Sequence, residues 1–470
     1  MTDDAASNNR SLSSPDKDTR SVYERDLDRL LYTLYFRRLS GITQVASLSV
    51  AESGEYGLVH NRLTHSLKVG QVARRMTQYL LTRSRDQFAA ELDYESVVLN
   101  LDPDVAEFAG RAHDIGHPPF GHLGEKVLSK LAETHGLEDG FEGNAQTFRV
   151  LTSLARRRPV RPKATDDDED FDPMISLELT DKSLASTVKY PFAIGQGPKD
   201  KNEAGKFGYI APDSRYFQAK VQPLLNGARP TLEAQIMDWA DDITYATHDI
   251  EDFGANGRIP LSLLRHDSAL KPVSWEEVEE FKNYAQIKLS KKNIDFPESF
   301  KLFRKLLLHL PARIVPGSAD TAASLGRMTS RIITQATDKT TIDSDGNLDP
   351  NRTWVGAIEI LKLLTWYYVI DDPDLVRIQR GQKRRLTAVA EELAAWTAEV
   401  TKETKSGESY ILRRRLPQQL GDLVVSYAKA NNGRGLYPDN PRGSMGRAVI
   451  DFVASMTEND VESYYHDMCR

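Results

Sequence analysis

The chain has 470 residues and a hydrophobic fraction of 40%, typical of a soluble globular protein longer than one ordinary domain of about 150 residues. Its 61 basic and 68 acidic residues give a net charge of −7, which argues against a general nucleic-acid coating protein. The single cysteine, Cys469, excludes an intrachain disulfide and a metal cage built from cysteines.

The first predicted elements are a leader and a helix. Residues 1–20 are rich in Ser, Asn and Asp without apolar periodicity, which predicts a disordered leader that lacks the regions of a signal peptide. Segment 67–80 is predicted to form a helix with one apolar face, because its apolar residues recur at intervals of three and four. These residues are Val69, Val72, Ala73 and Met76.

A second helix and a tight turn are predicted after residue 101. Asp102 is typical of an N-cap, and Pro103 fits the first turn of a helix. The Gly- and Pro-rich run 116–119 ends this helix, and another helix is predicted to begin near Leu123.

The rest of the chain is predicted to be mostly helical. The predicted elements are a solvated insertion loop at about 156–173, a helix over 231–253, a β-hairpin at Asp345-Gly346, helices from 354 to about 425 with breaks near Pro373 and Pro417, and a loop over 431–443. The insertion loop is inferred from a run of acidic residues, and the hairpin from Asp-Gly between β-branched segments. The helix breaks are inferred from proline, which lacks a backbone N–H.

These elements predict a mainly α fold with a helical C-terminal extension and a small β-hairpin. The predicted domains are the leader 1–20, a core over 21–330, and a helical region over 331–470 that would supply contacts between subunits. The most apolar stretch, 358–370, is interrupted by charged residues and is too short to cross a bilayer. A cytoplasmic protein without a membrane partner is therefore predicted.

Histidines are concentrated in one part of the sequence, since six of the 10 lie within residues 60–135. Among them, His113 is followed directly by Asp114, and a Gly- and Pro-rich loop then brings His117, His122 and Glu125. Imidazole and carboxylate groups together suit Mn, Fe, Co, Ni or Zn. A lone His-Asp pair would more simply cap a helix, but the residues that follow closely favour a metal or catalytic site.

A second group of titratable residues lies in the predicted helix 231–253. Steps of three or four residues place its members on one stripe of the helix. They are Asp238, Asp241, Tyr245, Asp249 and Asp252. Like charges at this spacing repel each other, so the stripe faces either water or cations. A solvated acidic face and a cation-binding face are both open from this segment alone.

The third group is the segment 61–67. His65 lies on the inward face of the predicted helix, where a buried structural histidine is the usual explanation. Arg62, three residues earlier, adds a fixed positive charge suited to a phosphate.

Together these segments resemble the HD-domain phosphohydrolases, and more closely the deoxynucleoside triphosphate triphosphohydrolase (dGTPase) family. Four blocks carry the resemblance: 62–66, 113–122, 141–146 and 240–245. Lys189-Tyr190-Pro191 lies between the third and the fourth. An HD pair alone is a weak motif, whereas these blocks in this order are specific. The resemblance covers about residues 22–260.

The resemblance implies a role for each matching position. The implied metal ligands are His65, His113, Asp114 and Asp241. Asp242 competes with Asp241, which is preferred because the family has a sugar-contacting tyrosine four residues on and a carboxylate eight residues on. The implied catalytic pair is His122 and Glu125. The implied substrate contacts are Gln44, Arg62, His117, Asn144, Lys189, Tyr190, Tyr245 and Asp249.

The resemblance also implies a cofactor, a reaction and an assembly. The implied cofactor is a divalent metal ion, with Mg, Mn, Co, Fe, Ni and Zn all open. The family reaction is attack at the α-phosphorus of a deoxynucleoside triphosphate, dGTP above all, giving a 2′-deoxynucleoside and tripolyphosphate. Tyr245 against the sugar would reject a 2′-hydroxyl. The family forms homo-oligomers, hexamers or tetramers, and a nucleotide activator is open.

Two kinds of alternative compete with this interpretation. Another HD phosphohydrolase, such as a 5′-nucleotidase, a cyclic-nucleotide phosphodiesterase or a guanosine-tetraphosphate hydrolase, would need the same metal ligands. A binding protein for nucleotides or single-stranded nucleic acid on an HD scaffold is the alternative outside the enzymes. Such a protein would bind phosphates through the two basic clusters, 377–385 and 413–415. Clusters of this kind are more often solvated helix faces or subunit contacts.

Overall fold

A computed structural model describes most of the chain. The described residues are 18–44, 60–87, 100–156, 177–225, 227–267, 269–310, 313–404 and 409–469. Residues 1–17 of the predicted leader and residues 157–173 of the predicted insertion loop lie outside the described residues.

The described residues form mainly α-helices, so the predicted fold class is confirmed. The helices are α1 (Val22–Leu31), α2 (Leu34–Arg37), α3 (Arg62–Gln87), α4 (Pro103–Ala112), α5 (Gly121–Thr134), α6 (Gly143–Arg149), α7 (Asp181–Ser186), α8 (Lys199–Glu203), α9 (Ser214–Lys220), α10 (Leu232–Ala255), α11 (Leu261–Leu264), α12 (Trp275–Leu289), α13 (Phe296–Leu306), α14 (Ala319–Asp338), α15 (Arg352–Thr365), α16 (Pro373–Glu403), α17 (Ser409–Arg415), α18 (Gln418–Gly433), α19 (Pro441–Ala454) and α20 (Glu458–Met468). Short 3₁₀ segments lie at Arg38–Gly41, Ala211–Asp213, Gln222–Leu224 and Leu307–His309, and π-helical turns at Val150–Leu154 and Trp366–Ile370.

The predicted hairpin is also confirmed. Strands β1 (Thr340–Ile342) and β2 (Leu348–Pro350) pair antiparallel, with Ile342 opposite Leu348. Gly346 in the turn has a φ of 77°, a conformation that glycine adopts without the steric cost met by other residues.

The helix for which an apolar face is predicted buries that face. In α3, Val69, Ala73 and Met76 are each 0% exposed. The predicted start of α4 is confirmed as well, because the N–H of Asp104 donates to Asp102 Oδ1 at 2.8 Å.

The predicted loop over 431–443 is wrong at both ends. Helix α18 continues to Gly433, and α19 already begins at Pro441. The side chain of Asn440 accepts a hydrogen bond from the N–H of Gly443 at 2.7 Å and so caps the N-terminus of α19.

The chain divides into two compact units, each made of separate segments. Among the described residues, those within 1–42, 111–234 and 381–470 form the first unit, and those within 43–110 and 235–380 form the second unit. The predicted boundary between a core and a C-terminal region at residue 330 stays a prediction about domains.

The core of the first unit joins helices that are far apart in sequence. Helix α19 packs against both α5 and α18. Leu128 of α5, Leu393 of α16 and Val449 of α19 belong to one hydrophobic cluster and are each 0% exposed. Burial of such side chains contributes about 1.5–3 kcal/mol each.

The second unit is built around α3, α10 and the helices that follow it. Helix α14 packs against α3, and α13 packs against α15. The apolar side of α10 is buried, with Ile243 and Ile250 at 0% exposure. Trp239 on the same helix donates its indole N–H to Thr340 Oγ1 at 3.0 Å, which ties α10 to the hairpin.

Within the described part of the chain, every helix is too short or too polar to cross a membrane.

Candidate active site

The His-Asp pair of the first unit directly follows α4. His113 and Asp114 are 7% and 4% exposed, so both side chains are buried. Asp114 Oδ1 lies 3.4 Å from His113 Nε2 and 3.1 Å from His117 Nδ1. One carboxylate oxygen therefore contacts two imidazoles, and the structure brings these three predicted site residues together.

Backbone contacts hold the turn that carries this pair. Thr147 Oγ1 donates to the carbonyl of His113 at 2.9 Å and accepts from the N–H of Gly116 at 3.1 Å. The guanidinium of Arg38 donates to the carbonyls of Ile115 and His117 at 3.0 and 2.6 Å. Polar groups of two other segments thus fix the backbone on both sides of the turn.

The predicted catalytic pair lies at the N-terminus of α5. His122 Nδ1 and Glu125 Oε2 are 2.7 Å apart, and Glu125 Oε1 accepts the N–H of Gly143 at 3.0 Å. The side chain of His122 is 71% exposed, whereas that of Glu125 is 12% exposed. The pair therefore consists of an accessible imidazole and a carboxylate that the protein holds in place.

The charge of Glu125 is favoured by its neighbours. Burial alone would raise the pKa of Glu125, but the hydrogen bond with His122 and the nearby His117 and Lys206 hold it below its usual range.

Phe120, just before α5, has a φ of 63°, a left-handed conformation that is uncommon for an aromatic residue. Strained backbone of this kind clusters at functional sites.

A second carboxylate of the first unit orders the start of α6. Glu142 is 3% exposed, and its side chain accepts the backbone N–H of Asn144 at 2.5 Å and the amide of the Asn144 side chain at 2.9 Å. Lys206 donates to Glu142 Oε1 at 2.8 Å. Burial raises the pKa of Glu142, although Lys206 opposes this. Sequence reasoning missed Lys206, because no spacing in the chain relates it to Glu142.

The two remaining predicted residues of the first unit, Lys189 and Tyr190, adjoin each other. Lys189 Nζ lies 6.0 Å from the centre of the Tyr190 ring, and Lys201 Nζ lies 5.9 Å from the same ring. Both lysines are thus within the range of a cation–π contact.

In the second unit, the structure brings together His65 of α3 and Asp241 of α10. His65 is 0% exposed, and its Nε2 lies 3.0 Å from Asp241 Oδ1. The neighbouring Asp242 has a different partner, since Lys362 of α15 donates to its Oδ1 at 2.8 Å. Of the two adjacent aspartates, Asp241 is therefore the one that faces a predicted ligand.

The acidic stripe on α10 is not a solvated face, so that alternative is wrong. Asp249 and Asp252 are 2% and 8% exposed, and the other members are half-buried. Burial raises the pKa of Asp249 to about 8, and the side chain of Thr365 only partly offsets this rise.

Two further predicted substrate contacts lie in the second unit. Arg62, a predicted phosphate contact, is 4% exposed. Gln44 is half-buried.

Among the residues that the structure describes, two groups of potential metal ligands lie within single units, with one ligand atom of each residue within 4.8 Å of the others. One is His117, His122 and Glu125 in the first unit, and the other is His60, His248 and Glu251 in the second unit. The first overlaps the predicted catalytic pair, whereas sequence reasoning assigned no role to the second.

Comparisons with known proteins identify the family of this chain. The family model of the HD domain matches residues 62–246, which include His65, the His113-Asp114 pair and Asp241. The fold and the site thus define an HD-domain phosphohydrolase.

Relatives that match most of the chain show to which family of HD-domain phosphohydrolases it belongs. A deoxyguanosinetriphosphate triphosphohydrolase-like protein of Corynebacterium glutamicum strain R is 32% identical over 95% of this chain and 90% of its own length. A protein of the same name from Corynebacterium efficiens is 31% identical over 96% of this chain and 92% of its own length. One from Streptomyces coelicolor is 37% identical over 56% of this chain and 54% of its own length. The chain belongs to the deoxyguanosinetriphosphate triphosphohydrolase-like family.

The residues present fit the divalent metal ion on which HD-domain phosphohydrolases depend. In the second unit, a buried imidazole nitrogen of His65 meets a carboxylate oxygen of Asp241. In the first unit, His113 and Asp114 offer the same combination of donors, both buried. Neutral imidazole with carboxylate suits Mn, Fe, Co, Ni or Zn.

Proposed function

We propose that this protein hydrolyses deoxynucleoside triphosphates, dGTP above all, to a 2′-deoxynucleoside and tripolyphosphate. The observation that carries the proposal is the His122–Glu125 pair at 2.7 Å, an exposed imidazole on a held carboxylate, in the same unit as the His-Asp pair. The names of the relatives, which concern dGTP, support the substrate class.

The proposed metal ligands are His65, His113, Asp114 and Asp241. A divalent metal ion held by these residues would polarise a phosphoryl oxygen and would lower the pKa of bound water, the chemistry that makes water a nucleophile near neutral pH. Preference for Asp241 over Asp242 is supported by the partners of the two side chains, His65 and Lys362 respectively.

In the proposed reaction, His122 is the group that transfers protons, and Glu125 orients the imidazole ring of His122. Water adds to the α-phosphorus, the bond from this phosphorus to the 5′-oxygen breaks, and the departing oxygen takes a proton. Because ionised Glu125 accepts the Nδ1 proton of His122, the other ring nitrogen is the one that exchanges protons with substrate or water. Glu125 is itself anchored by the N–H of Gly143.

The proposed substrate contacts supply positive charge and a sugar surface. They are Gln44, Arg62, His117, Asn144, Lys189, Tyr190, Tyr245 and Asp249. Arg62 and Lys189 offset the charge of the triphosphate in a protein whose net charge is −7. Tyr245, half-buried on α10, is proposed to pack on the deoxyribose and to reject a 2′-hydroxyl.

The basic clusters 377–385 and 413–415 contain ion pairs, which do not favour the nucleic-acid alternative. In the first cluster, Arg377 and Arg385 each pair with a carboxylate. In the second cluster, Arg413 lies 2.7 Å from Asp422, and Arg415 also pairs with a carboxylate. Cations paired in this way are less available to phosphates. A cytoplasmic location, a hexameric or tetrameric assembly and a nucleotide activator stay predictions that accompany the proposal.

A product assay tests the proposed function. The purified protein is incubated with each dNTP and with GTP, with Mg²⁺, Mn²⁺ or Co²⁺, alone and in nucleotide mixtures that supply an activator. We expect deoxynucleoside plus tripolyphosphate, lost with EDTA and absent with GTP. Release of pyrophosphate or of single phosphate would indicate another HD hydrolase. Absence of turnover under every condition would favour the binding protein.

A further inference from the structure

Three residues of the second unit that the proposed function does not use form a connected group. The backbone N–H of His60 donates to Asp252 Oδ2 at 2.9 Å, and His60 Nδ1 lies 2.6 Å from Asp252 Oδ1. The His60 ring stacks on the ring of His248, with centroids 3.8 Å apart and planes 10° from parallel. Asp252 thus holds both the backbone and the ring of His60.

This group contacts His65, a proposed metal ligand. The ring of His248 meets the ring of His65 edge-on, with centroids 5.6 Å apart and planes at 72°. His248 is 3% exposed, and its Nδ1 is buried without a hydrogen-bond partner among the described residues. His248 therefore contacts His65 as an aromatic surface.

The group also joins the two helices that carry the proposed ligands of this unit. His60 lies two residues before α3, which carries His65, while His248 and Asp252 lie on α10, which carries Asp241. Because His65 Nε2 and Asp241 Oδ1 approach to 3.0 Å, a small slip of α3 along α10 would separate them.

The same group is poorly arranged to hold an ion of its own. The lone pair of an imidazole nitrogen lies in the plane of its ring, so two ligating rings must both direct their planes at the ion. Rings stacked 3.8 Å apart and almost parallel do not do this. Glu251 supplies a nearby carboxylate, but that carboxylate alone does not make a site.

We propose that Asp252, His60 and His248 are positioning residues, which fix α3 against α10 and orient the imidazole of His65 toward Asp241. The proposal rests on the proposed metal site, since it assigns the group a role through His65. Partners that orient metal ligands in this way typically affect metal affinity by about 10–100-fold when they are changed.

The test measures Co²⁺ binding to the full chain, with the visible spectrum of bound Co²⁺ as a report on ligand geometry. Asp252→Asn leaves one acceptor oxygen where the carboxylate offers two, one to the backbone N–H and one to the ring of His60, and it removes the negative charge. We expect about 10–100-fold weaker binding and an altered spectrum. His248→Ala is expected to do the same, whereas His248→Phe keeps an aromatic surface and is expected to restore affinity and spectrum.

Matched variants separate the outcomes. Glu251→Gln changes the adjacent carboxylate and is expected to leave binding and spectrum unchanged, while His65→Ala is expected to abolish binding. If Asp252→Asn does not fold, as judged by circular dichroism, the comparison of His248→Ala with His248→Phe decides.

Three results would overturn the positioning role. One is native affinity and spectrum in both Asp252→Asn and His248→Ala. Another is the loss of a whole equivalent of Co²⁺ in Glu251→Gln, which would make the group a metal site. The last is the absence of Co²⁺ binding by the unchanged protein, which would remove the proposed metal site as well.

Discussion

Two adjacent carboxylates on α10 show how neighbours decide the role of a residue. Asp241 Oδ1 lies 3.0 Å from the buried imidazole of His65, whereas Asp242 Oδ1 accepts a hydrogen bond from Lys362 at 2.8 Å. Their different directions follow from the 100° turn between successive helical residues. One carboxylate is directed toward a proposed ligand, and the other toward a structural lysine.

We predict that changing Asp241 or Asp242 to asparagine has different effects on metal binding. Asp241→Asn is expected to weaken metal binding at least 100-fold and to abolish turnover, because a charged ligand is lost. At about 1.4 kcal/mol per tenfold, this is a loss of at least about 2.8 kcal/mol in binding free energy. Asp242→Asn is expected to retain the metal. Metal content by mass spectrometry of the purified variants measures both, and loss of metal only in Asp242→Asn would reverse the assignment.

A second prediction concerns His122. Replacement by Asn is expected to lower kcat about 10²–10⁴-fold, the usual contribution of a positioned proton-transfer group, and to leave metal content unchanged. His466→Asn, at an exposed histidine in α20, is the control and is expected to retain native kcat. Native turnover in His122→Asn would exclude its proposed role.

Gly116 is a position where the backbone approaches too closely for any side chain. A Cβ there would lie 2.1 Å from the backbone nitrogen of Thr147 and 2.5 Å from the carbonyl carbon of Gln146. We expect Gly116→Ala to destabilise the protein by about 1–3 kcal/mol in urea unfolding, because α6 must move. Gly326 lies on an exposed part of α14, where an added Cβ would meet no described atom within 4 Å apart from the nearby backbone of its own helix. Gly326→Ala is therefore expected to stabilise the protein by up to about 1 kcal/mol. Equal midpoints for the two variants would contradict this account.

At the scale of elements, charged groups link α15 to its surroundings. Glu359 pairs with Lys292, and Lys362 bonds both Glu359 Oε1 at 3.0 Å and Asp242 of α10. Burial alone would raise the pKa of Glu359, but Lys362 and Lys292 outweigh it and hold the pKa below its ordinary value of 4.5. The ionised form is therefore favoured by folding.

The sign of this shift predicts a pH dependence. A carboxyl whose pKa is lower in the folded protein stabilises it above its ordinary pKa, and this contribution is lost as pH falls through the folded value. We expect Glu359→Gln to unfold at lower urea than the unchanged protein at pH 7, with the difference shrinking below pH 4.5. Glu298→Gln, at an exposed pair with Lys301, is expected to change little at either pH. A difference that grows on acidification would refute this explanation.

The elements themselves were predictable where their signals are local. The buried face of α3 follows from apolar spacing, and the hairpin from Asp345-Gly346. The end of α18 and the start of α19 were not predictable, because Gly- and Asn-rich sequence is compatible with helix caps as well as with loops. The contact of His248 with His60 joins residues 188 positions apart (248 − 60), for which a single sequence carries no signal.

At the scale of the whole molecule, a buried ionic network organises the first unit. Asp451 of α19 accepts from Arg149 Nε at 2.8 Å, from Gln146 Nε2 at 3.1 Å and from the Tyr427 hydroxyl at 2.5 Å. Arg149 also donates to Asp213 at 2.8 Å. Arg149, Asp213 and Asp451 are each at most 1% exposed. Helix α19, close to the end of the chain, thus completes the same unit that contains the His-Asp pair.

Breaking this network is predicted to be costly. Asp451→Ala leaves the buried guanidinium of Arg149 with one fewer carboxylate, which is expected to cost about 3–5 kcal/mol in urea unfolding. Asp422→Ala, which breaks an exposed pair with Arg413, is expected to cost less than about 1 kcal/mol. Similar losses for the two variants would contradict a structural role of the buried network.

The candidate site was predictable to the extent that its motifs are contiguous. The His113–Glu125 segment and the carboxylates of α10 were found from spacing and resemblance. The division into units made of separate segments was not predictable, because it depends on which distant surfaces are complementary.

The pairing of Arg149 with Asp451 has a consequence for synthesis on the ribosome. The two residues are 302 positions apart. At translation rates of roughly 5–20 residues per second, Arg149 is made about 15–60 s before Asp451. Until then its guanidinium lacks one of its carboxylates, and α5 lacks the helix α19 against which it packs. The nascent first unit therefore stays incomplete through most of translation, and a chaperone that shields apolar surface would act on it during that interval.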